Sequence, residues 1–176
     1  PAVTALLDVL MEQDQDHLPP GQRRRFVHQR TAIVPYLIRT VEEDQYASAD
    51  SPGEGQAPIG GWGPILAVRM LGELRAAQAA DALVRVVASS SPEDVIHDAA
   101  LFSLMAIGSQ ALPAVHAYFR YGSQVETRAS LAEVLAYLGR KNTNTFDFLR
   151  QAWEAAGWKG NRRMVALALG DLGDRR

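Results

Sequence analysis

The sequence predicts an all-α protein in which helical hairpins stack into an α-solenoid. The main observation is a six-residue phrase, small-Leu-small-x-Leu/Ile-Gly, which recurs at 70–75, 103–108, 134–139 and 168–173, with Arg75 replacing the final Gly of the first copy. The copies begin 33, 31 and 34 residues apart, and a period in this range is typical of repeats of two helices. A second observation is that the segments between the copies carry apolar residues at helical spacing of their own.

The N-terminal part, 1–45, is predicted to hold three helices, which include a divergent repeat. Apolar residues recur at helical spacing over about 2–13, and this spacing predicts the first helix. A Pro-Pro-Gly break ends that segment, and a second helix is predicted over about 22–32. Pro35 suits the first turn of a third helix, because its missing N–H costs no hydrogen bond there.

Residues 46–63 interrupt the helical pattern. The segment is rich in Gly, Pro and Ser, and Gly and Pro do not support a continuous helix. A loop of this length is uncommon in a compact domain, so it is predicted to be either functional or disordered. Trp62 at its end indicates that the loop folds back onto the body, where it would cover one end of a binding face.

The remaining segment, 64–176, is predicted to hold three full repeats and one final helix. The helices that carry the phrase are here called A helices, and the helices between them B helices. The A helices are predicted at about 64–75, 93–107, 125–138 and 161–172. The B helices are predicted at about 79–89, 111–121 and 144–156.

Each part of the phrase has a structural role in this prediction. Its two Leu or Ile residues lie three apart and face the core, as Leu71 and Leu74 do in the first copy. The small residue between them lets the neighbouring hairpin approach closely, and the final Gly supplies the left-handed residue that ends the helix. Apolar residues of the B helices recur four apart. These pairs are Leu83 and Val87, Val115 and Phe119, and Leu149 and Trp153, with Leu37 and Val41 as a matching pair upstream.

The composition suits a soluble, cytoplasmic protein that forms a single domain over 1–176. Hydrophobic residues make up 47% of the chain and charged residues 22%, and a net charge of −2 provides no overall field to attract DNA or an anionic membrane. There is no cysteine, and no apolar run approaches the roughly 20 residues of a membrane span. The N-terminus has no signal-peptide pattern. Abundant alanine, and arginine in place of nearly all lysine, are typical of a GC-rich bacterial genome.

The A-helix copies resemble the HEAT-like repeats of bacteria, in the short form that is also called PBS-lyase HEAT-like. The family pattern is roughly Arg-x-x-Ala-x-x-Ala-Leu-Gly-x-Leu/Ile-Gly, and 162–173 and 128–139 match it best. The copy at 97–108 departs from the pattern, with His97 in place of Arg and Met105 in place of a small residue. The resemblance implies a right-handed superhelix with the B helices on its concave side, where members of this class usually bind protein.

No pattern in the sequence predicts a metal, a cofactor or a catalytic residue. The four histidines are scattered, and none forms the His-x-x-x-His or His-Glu pairing that metal sites on such scaffolds use. Acidic runs such as Glu42-Glu43-Asp44 fit a solvated helix end. Neither a nucleophile elbow nor a phosphate-binding loop is present. The sequence therefore favours a non-enzymatic protein.

The favoured function is protein–protein interaction or scaffolding through the B-helix face. The predicted partner-binding residues are polar or aromatic side chains on B helices and at turns: Arg39, Arg85, His116, Arg120, Arg150, Trp158 and Trp62. The expected partner is a protein or peptide, because polar contacts of this kind supply specificity while an apolar anchor supplies most of the affinity. Neither nucleic acid nor a membrane is the expected partner.

Two other functions stay open. An accessory enzyme or chaperone of the bilin-lyase type, which the family name suggests, would have a deep pocket lined by aromatic and polar groups. A DNA-binding protein similar to the HEAT-like glycosylases of alkylated bases would have a cationic concave face with aromatic residues and a catalytic Asp. The catalytic residues of those glycosylases cannot be assigned to positions of this sequence.

The final A helix is predicted either to be followed by more of the parent protein or to take part in self-association. No B helix follows it in the sequence, and an uncapped end of a helical stack exposes apolar surface. Residues around Leu167 and Leu172 are therefore expected to form a contact with a second copy.

Overall fold

The computed structural model describes residues 2–43, 61–139, 144–155 and 159–173. This part of the chain consists of helices and turns and contains no strand, which confirms the all-α class. Its α-helices are α1 (Ala2–Met11), α2 (Pro20–His28), α3 (Arg30–Glu43), α4 (Gly63–Glu73), α5 (Ala80–Ser89), α6 (Val95–Ile107), α7 (Leu112–Tyr121), α8 (Val125–Leu138), α9 (Asn144–Ala155) and α10 (Lys159–Gly173). Short 3-10 turns lead into α5 and α7.

The A and B helices of the repeat region lie where the sequence predicts them. The A helices are α4, α6, α8 and α10, the B helices are α5, α7 and α9, and every boundary falls within two residues of the prediction. Local signals explain this agreement. Pro64 and Pro113 sit in the first turns of α4 and α7, where a missing N–H is harmless, and apolar residues at helical spacing follow them.

The prediction for the N-terminal helices was wrong in one respect. α2 ends at His28, and α3 already begins at Arg30, so Pro35 lies inside α3 instead of in its first turn. A proline inside a helix removes one backbone hydrogen bond and crowds the preceding turn. Ile33, Val34 and Leu37 are buried around it. We attribute the continued helix to this burial, which outweighs the local cost of the proline.

The chain forms two compact units, Pro1–Ile107 and Gly108–Arg176. In the first unit α4 packs along α6, α3 packs against α4 and α5, and α5 also packs against α6. α1 covers the N-terminal side of α3 and α4. The largest fully buried side chains of this unit are Phe26, Leu6, Leu10, Ile33, Leu37, Leu71, Leu83, Leu104 and Val68.

The second unit is built from the last four helices. α8 packs along α10, and α9 packs against α7, α8 and α10. Its core includes Val115, Phe119, Leu131, Leu135, Leu149 and Val165. A lengthwise contact between successive A helices therefore occurs in each unit, between α4 and α6 in the first and between α8 and α10 in the second.

The predicted core positions of the A helices are largely confirmed. The buried ones are Leu71, Leu74, Leu104, Ile107 and Leu135. Leu138 and Leu169 are half-buried, and the side chain of Leu172 lies outside the described residues. Among the B helices, both members of the predicted pairs are buried in α3, α5 and α7.

Trp153 is the exception among the B-helix pairs, because it is 40% exposed instead of buried. The guanidinium carbon of Arg162, on α10, lies 5.8 Å from the centre of its ring. Residues four apart on a helix drift by about 40° around the axis, since a turn takes 3.6 residues. Leu149 therefore faces the core, whereas Trp153, near the end of α9, has turned partly toward solvent.

The roles predicted for the small residues of the phrase are confirmed at two positions and wrong at a third. A Cβ atom on Gly72 would lie only 2.6 Å from Oγ of Ser103 on the neighbouring A helix, so this site does admit a close approach. Gly108 adopts the predicted left-handed conformation, with φ +86°. Gly139 does not, because its φ is −88°. A Cβ there would instead lie 2.2 Å from the hydroxyl of Thr145.

One stretch, Val95–Tyr121, has the length and the composition of a membrane-crossing helix. Such a stretch was not predicted from the sequence. It comprises two helices, since α6 ends at Ile107 and Gly108 has a φ that no right-handed helix contains. Each helix alone is shorter than the roughly 20 residues of a typical span. A single stretch of this kind is weak evidence for a membrane span, because core helices reach the same hydropathy.

Candidate functional site

The B helices present their predicted arginines on the side opposite the core, whereas His116 is half-buried. In α5, for example, Leu83 and Val87 are buried, and Arg85 between them points to solvent. The same helical period leaves Arg39, Arg120 and Arg150 exposed on α3, α7 and α9.

In the first unit the structure brings Arg39 and Arg85 to neighbouring carboxylates at the end of α3. Nε of Arg39 lies 2.6 Å from Oε1 of Glu43, one helical turn later in the same helix. The guanidinium of Arg85, on α5, donates a hydrogen bond to Oε1 of Glu42. Both ion pairs are solvent-exposed, so screening by water leaves them little effect on the stability of the fold. These two arginines already hold carboxylates of their own chain.

In the second unit two predicted residues gather around one aromatic ring. The ring of His116 lies 5.0 Å from the ring of Phe148, between centres. The guanidinium carbon of Arg120 lies 5.7 Å from the centre of the same Phe148 ring. Phe119, which is buried, also approaches Phe148, with 5.7 Å between the ring centres. His116 and Arg120 lie four residues apart on α7, so one face of that helix meets α9 at Phe148.

His116 is held in its neutral form. Its partial burial lowers the pKa of the imidazole, and the nearby positive charge of Arg120 lowers that pKa further. Nε2 of His116 is buried and has no hydrogen-bond partner among the residues that the structure describes. A neutral imidazole can donate or accept a hydrogen bond there, according to its tautomer.

A groove of about 440 Å³ opens beside this cluster. We call it the α7–α9 groove, and its lining residues are Phe119, Arg120, Arg128, Asn144, Asp147, Phe148 and Gln151. Nη2 of Arg128 donates a hydrogen bond to the carbonyl oxygen of Gly122 at 2.6 Å, and its buried Nε has no partner in the described part of the second unit. Two guanidinium groups and two carboxamides thus line the groove, together with two phenyl rings and one carboxylate.

The partners of the four predicted arginines distinguish them. Arg39 and Arg85 hold Glu43 and Glu42, and Nη1 of Arg150 lies 3.3 Å from Oε1 of Glu154. Arg120 forms no ion pair with any carboxylate in the described residues. Its guanidinium lies over the face of the Phe148 ring. Only this arginine of the four therefore keeps its hydrogen-bonding edge available for a ligand.

The structure describes only one of the two predicted tryptophans. Trp62 is half-buried in the first unit, where its carbonyl oxygen accepts the N–H of Leu66 at the start of α4. Trp158 lies outside the described residues, as does most of the 46–63 loop. The predicted role of that loop as a cover stays a prediction.

Three residues line the α7–α9 groove but were not among the predicted site residues: Arg128, Phe148 and Gln151. Arg128 begins one of the two copies that match the repeat pattern best, and nothing else in the sequence marks it as a binding residue. The hydrogen bond from Arg128 to Gly122 shows how it reaches the groove, because it closes the turn between α7 and α8. Phe148 carries a weaker signal, since it directly precedes the core residue Leu149.

The described part of the chain contains no cluster of three or more His, Asp or Glu side chains that could hold a metal ion. No family model, no curated protein and no solved structure matches this chain. The function of this chain is therefore inferred from the geometry of the α7–α9 groove.

Proposed function

We propose that this chain is a non-enzymatic protein-interaction module that binds an acidic segment of a partner protein in the α7–α9 groove. The observation that carries the proposal is the state of Arg120, whose guanidinium lies over Phe148 without a carboxylate partner in the described structure. An arginine placed in this way can present two parallel N–H donors to a carboxylate, which is the strongest arrangement of such a pair.

The rest of the groove suits a peptide ligand. The side-chain amide of Gln151 can bond to a peptide backbone, and the ring of Phe148, which is itself buried, packs against the guanidinium of Arg120. Arg128 adds a second positive charge, held in place by its bond to Gly122. Asp147 lies in the first turn of α9, where a carboxylate favours the helix N-terminus, and it would repel ligand carboxylates at that end.

The charge balance favours a protein partner over nucleic acid. A duplex-binding face needs several arginines that are free to contact phosphates. Arg39, Arg85 and Arg150 are instead paired with glutamates. The α7–α9 groove is also open to solvent, which suits a peptide better than the deep pocket that a bilin-lyase-like enzyme would need.

The finer architecture is part of the same proposal. The recurring phrase, and the lengthwise packing of α4 on α6 and of α8 on α10, support HEAT-like repeats as the building unit. The right-handed solenoid, the cytoplasmic location and the bacterial origin that the sequence predicts belong to the proposal as well. Small-angle scattering from the whole chain tests the solenoid, and fractionation of the source cell tests the location.

The decisive experiment uses fluorescence anisotropy with labelled peptides rich in Asp and Glu that also contain one aromatic residue. A matched set with Asn and Gln in place of the acids is the ligand control. We expect the acidic peptides to bind, and Arg120→Glu to weaken that binding at least about tenfold, which corresponds to 1.4 kcal/mol. Arg150→Glu is the matched protein control, because Arg150 is paired on a neighbouring helix, and we expect a change below about threefold.

Three results would contradict the proposal. The first is equal binding of the acidic and the amide peptides. The second is an Arg120→Glu variant that binds as tightly as the wild type. The third is the absence of peptide binding together with tight, salt-dependent binding to duplex DNA, which would favour the nucleic-acid alternative.

A further inference from the structure

The first unit carries a second grooved surface, whose residues were not among the predicted site residues. A groove of about 590 Å³ runs between α4 and α6, and a smaller one of about 300 Å³ adjoins it on α2. The two grooves share Arg23 and Glu73, so they form one continuous surface. We call it the α2–α6 face, and its residues used below are Arg23, Arg24, Val27, Gly72, Glu73, Val95, Asp98, Phe102, Ser103 and Ala106.

The α2–α6 face exposes three large apolar side chains. Phe102 is 65% exposed, Val27 is 49% exposed and Val95 is 37% exposed. Phe102 stands beside small residues of the groove, among them Gly72, Ser103 and Ala106. Exposed apolar side chains of this kind, bordered by charges, are typical of protein contact sites. Gly72 and Ser103 are buried where α4 meets α6, so the room for an aromatic side chain from outside lies beside Ala106, which is exposed.

The two ends of this face carry opposite charges. Arg24 lies at the α2 end beside Val27, and Asp98 lies at the α6 end, one helical turn before Phe102. Between them, Arg23 and Glu73 form an ion pair with each other. Neither Arg24 nor Asp98 has an ion-pair partner in the described part of the first unit. A surface with a basic end and an acidic end is complementary to a copy of itself rotated by half a turn.

We propose that two copies of this chain associate through the α2–α6 face around a two-fold axis. In this dimer, Phe102 of each copy enters the small-residue groove of the other. Arg24 of each copy faces Asp98 of the other, so the same ion pair forms twice. This contact uses neither the α7–α9 groove nor the C-terminal end. It is therefore independent of the proposed peptide binding.

Sedimentation velocity of the full chain, from micromolar to near-millimolar concentration, measures the association. We expect a concentration-dependent dimer that Phe102→Glu weakens at least about 100-fold, because a central aromatic residue is lost on both sides of the interface. Tyr121→Glu is the matched control, since Tyr121 is also an exposed aromatic residue but lies in the second unit. This control should associate as the wild type does.

A charge exchange tests the orientation of the two copies. Arg24→Asp and Asp98→Arg should each weaken the dimer about tenfold, because each substitution places like charges opposite one another twice. The double variant, Arg24→Asp with Asp98→Arg, should return to within about threefold of the wild type. Far-UV circular dichroism and a thermal melt establish that each variant is folded.

The proposal is overturned if the wild type stays monomeric over the whole range, or if the double charge exchange fails to restore the dimer. Leu167→Glu separates it from self-association through the C-terminal end, since Leu167 is 61% exposed on α10. A dimer that Leu167→Glu abolishes and Phe102→Glu leaves intact would place the contact at the C-terminal end instead.

Discussion

At the residue scale, the last position of the repeated phrase takes two kinds of backbone conformation in the first three copies. Arg75 has φ +48° and Gly108 has φ +86°, so both are left-handed, whereas Gly139 has φ −88°. The only arginine among these residues thus occupies a conformation that suits glycine. Gly139 is needed for a different reason, because the hydroxyl of Thr145 donates to its carbonyl at 2.7 Å and leaves no room for a Cβ.

We expect Arg75→Gly to stabilise the protein by about 0.5–1 kcal/mol. The substitution removes a left-handed penalty of about 1–2 kcal/mol, part of which is offset by the greater freedom of glycine in the unfolded chain. The hydrogen bond from Arg30 to the carbonyl of residue 75 is retained, because it involves only the backbone at that position. Urea denaturation measures the change in the free energy of unfolding.

Gly108→Ala is the matched control for this prediction. A Cβ at residue 108 would meet no atom within 4 Å, so its effect comes from the backbone conformation alone. We expect a loss of about 1 kcal/mol. A destabilised Arg75→Gly variant, or a neutral Gly108→Ala variant, would show that the φ angle does not dominate stability at these positions.

At the scale of the elements, the seam between successive A helices depends on small side chains. Gly72 in the third position of the phrase meets Ser103 in the first position of the next copy, and Oγ of Ser103 donates to the carbonyl oxygen of Val68 at 2.9 Å. Ala136 and Ala168 hold the same two positions in the second unit, and both are buried. Met105 has a larger side chain at the third position, and its copy is the last one of the first unit.

Replacement of glycine by alanine at the third position of two copies of the phrase should have opposite effects on stability. Gly72→Ala should destabilise the protein by about 1–3 kcal/mol, because its Cβ would lie 2.7 Å from the backbone of Ser103. Gly170→Ala should stabilise it by about 0.5–1 kcal/mol, because Gly170 lies within α10 and a Cβ there meets nothing within 4 Å. Denaturant melts of the two variants against the wild type measure both changes. Effects of equal sign would show that the close approach of α4 and α6 does not limit stability.

At the scale of the whole molecule, the chain forms two compact units, and the single continuous domain over 1–176 stays a prediction. Each unit has its own fully buried core, with Phe26, Leu71 and Leu104 in the first and Leu131 and Leu135 in the second. The first unit is the longer one and includes the three N-terminal helices. Small domains bury a lower fraction of their surface and are correspondingly less stable, so the first unit has the better basis for independent folding.

We expect a fragment of residues 1–107 to fold by itself. Leu6, Leu10, Leu37 and Leu83 are buried, and the helices of this unit pack extensively against one another. Far-UV circular dichroism should show a helical spectrum and a cooperative thermal transition. A fragment with helical signal but a broad, non-cooperative melt would mean that the second unit is required for its packing.

The sequence by itself determined the helices of the repeat region and most of their buried positions. Those features depend on short windows of sequence, such as the apolar period, the prolines of the first turns and the recurring phrase. It also predicted Arg120 and His116 as binding residues, and that role stays a prediction.

The tertiary structure alone decided how these residues act. Arg85 pairs with Glu42, 43 residues away in the chain, and Phe148 meets Arg120 only because α7 packs against α9. Pro35 and Trp153 likewise depend on what surrounds them, through the burial near α3 and the position of Arg162. The physical reason is that helix formation is governed by neighbours within one or two turns. Ion pairs, ring contacts and exposed faces depend on which helices meet.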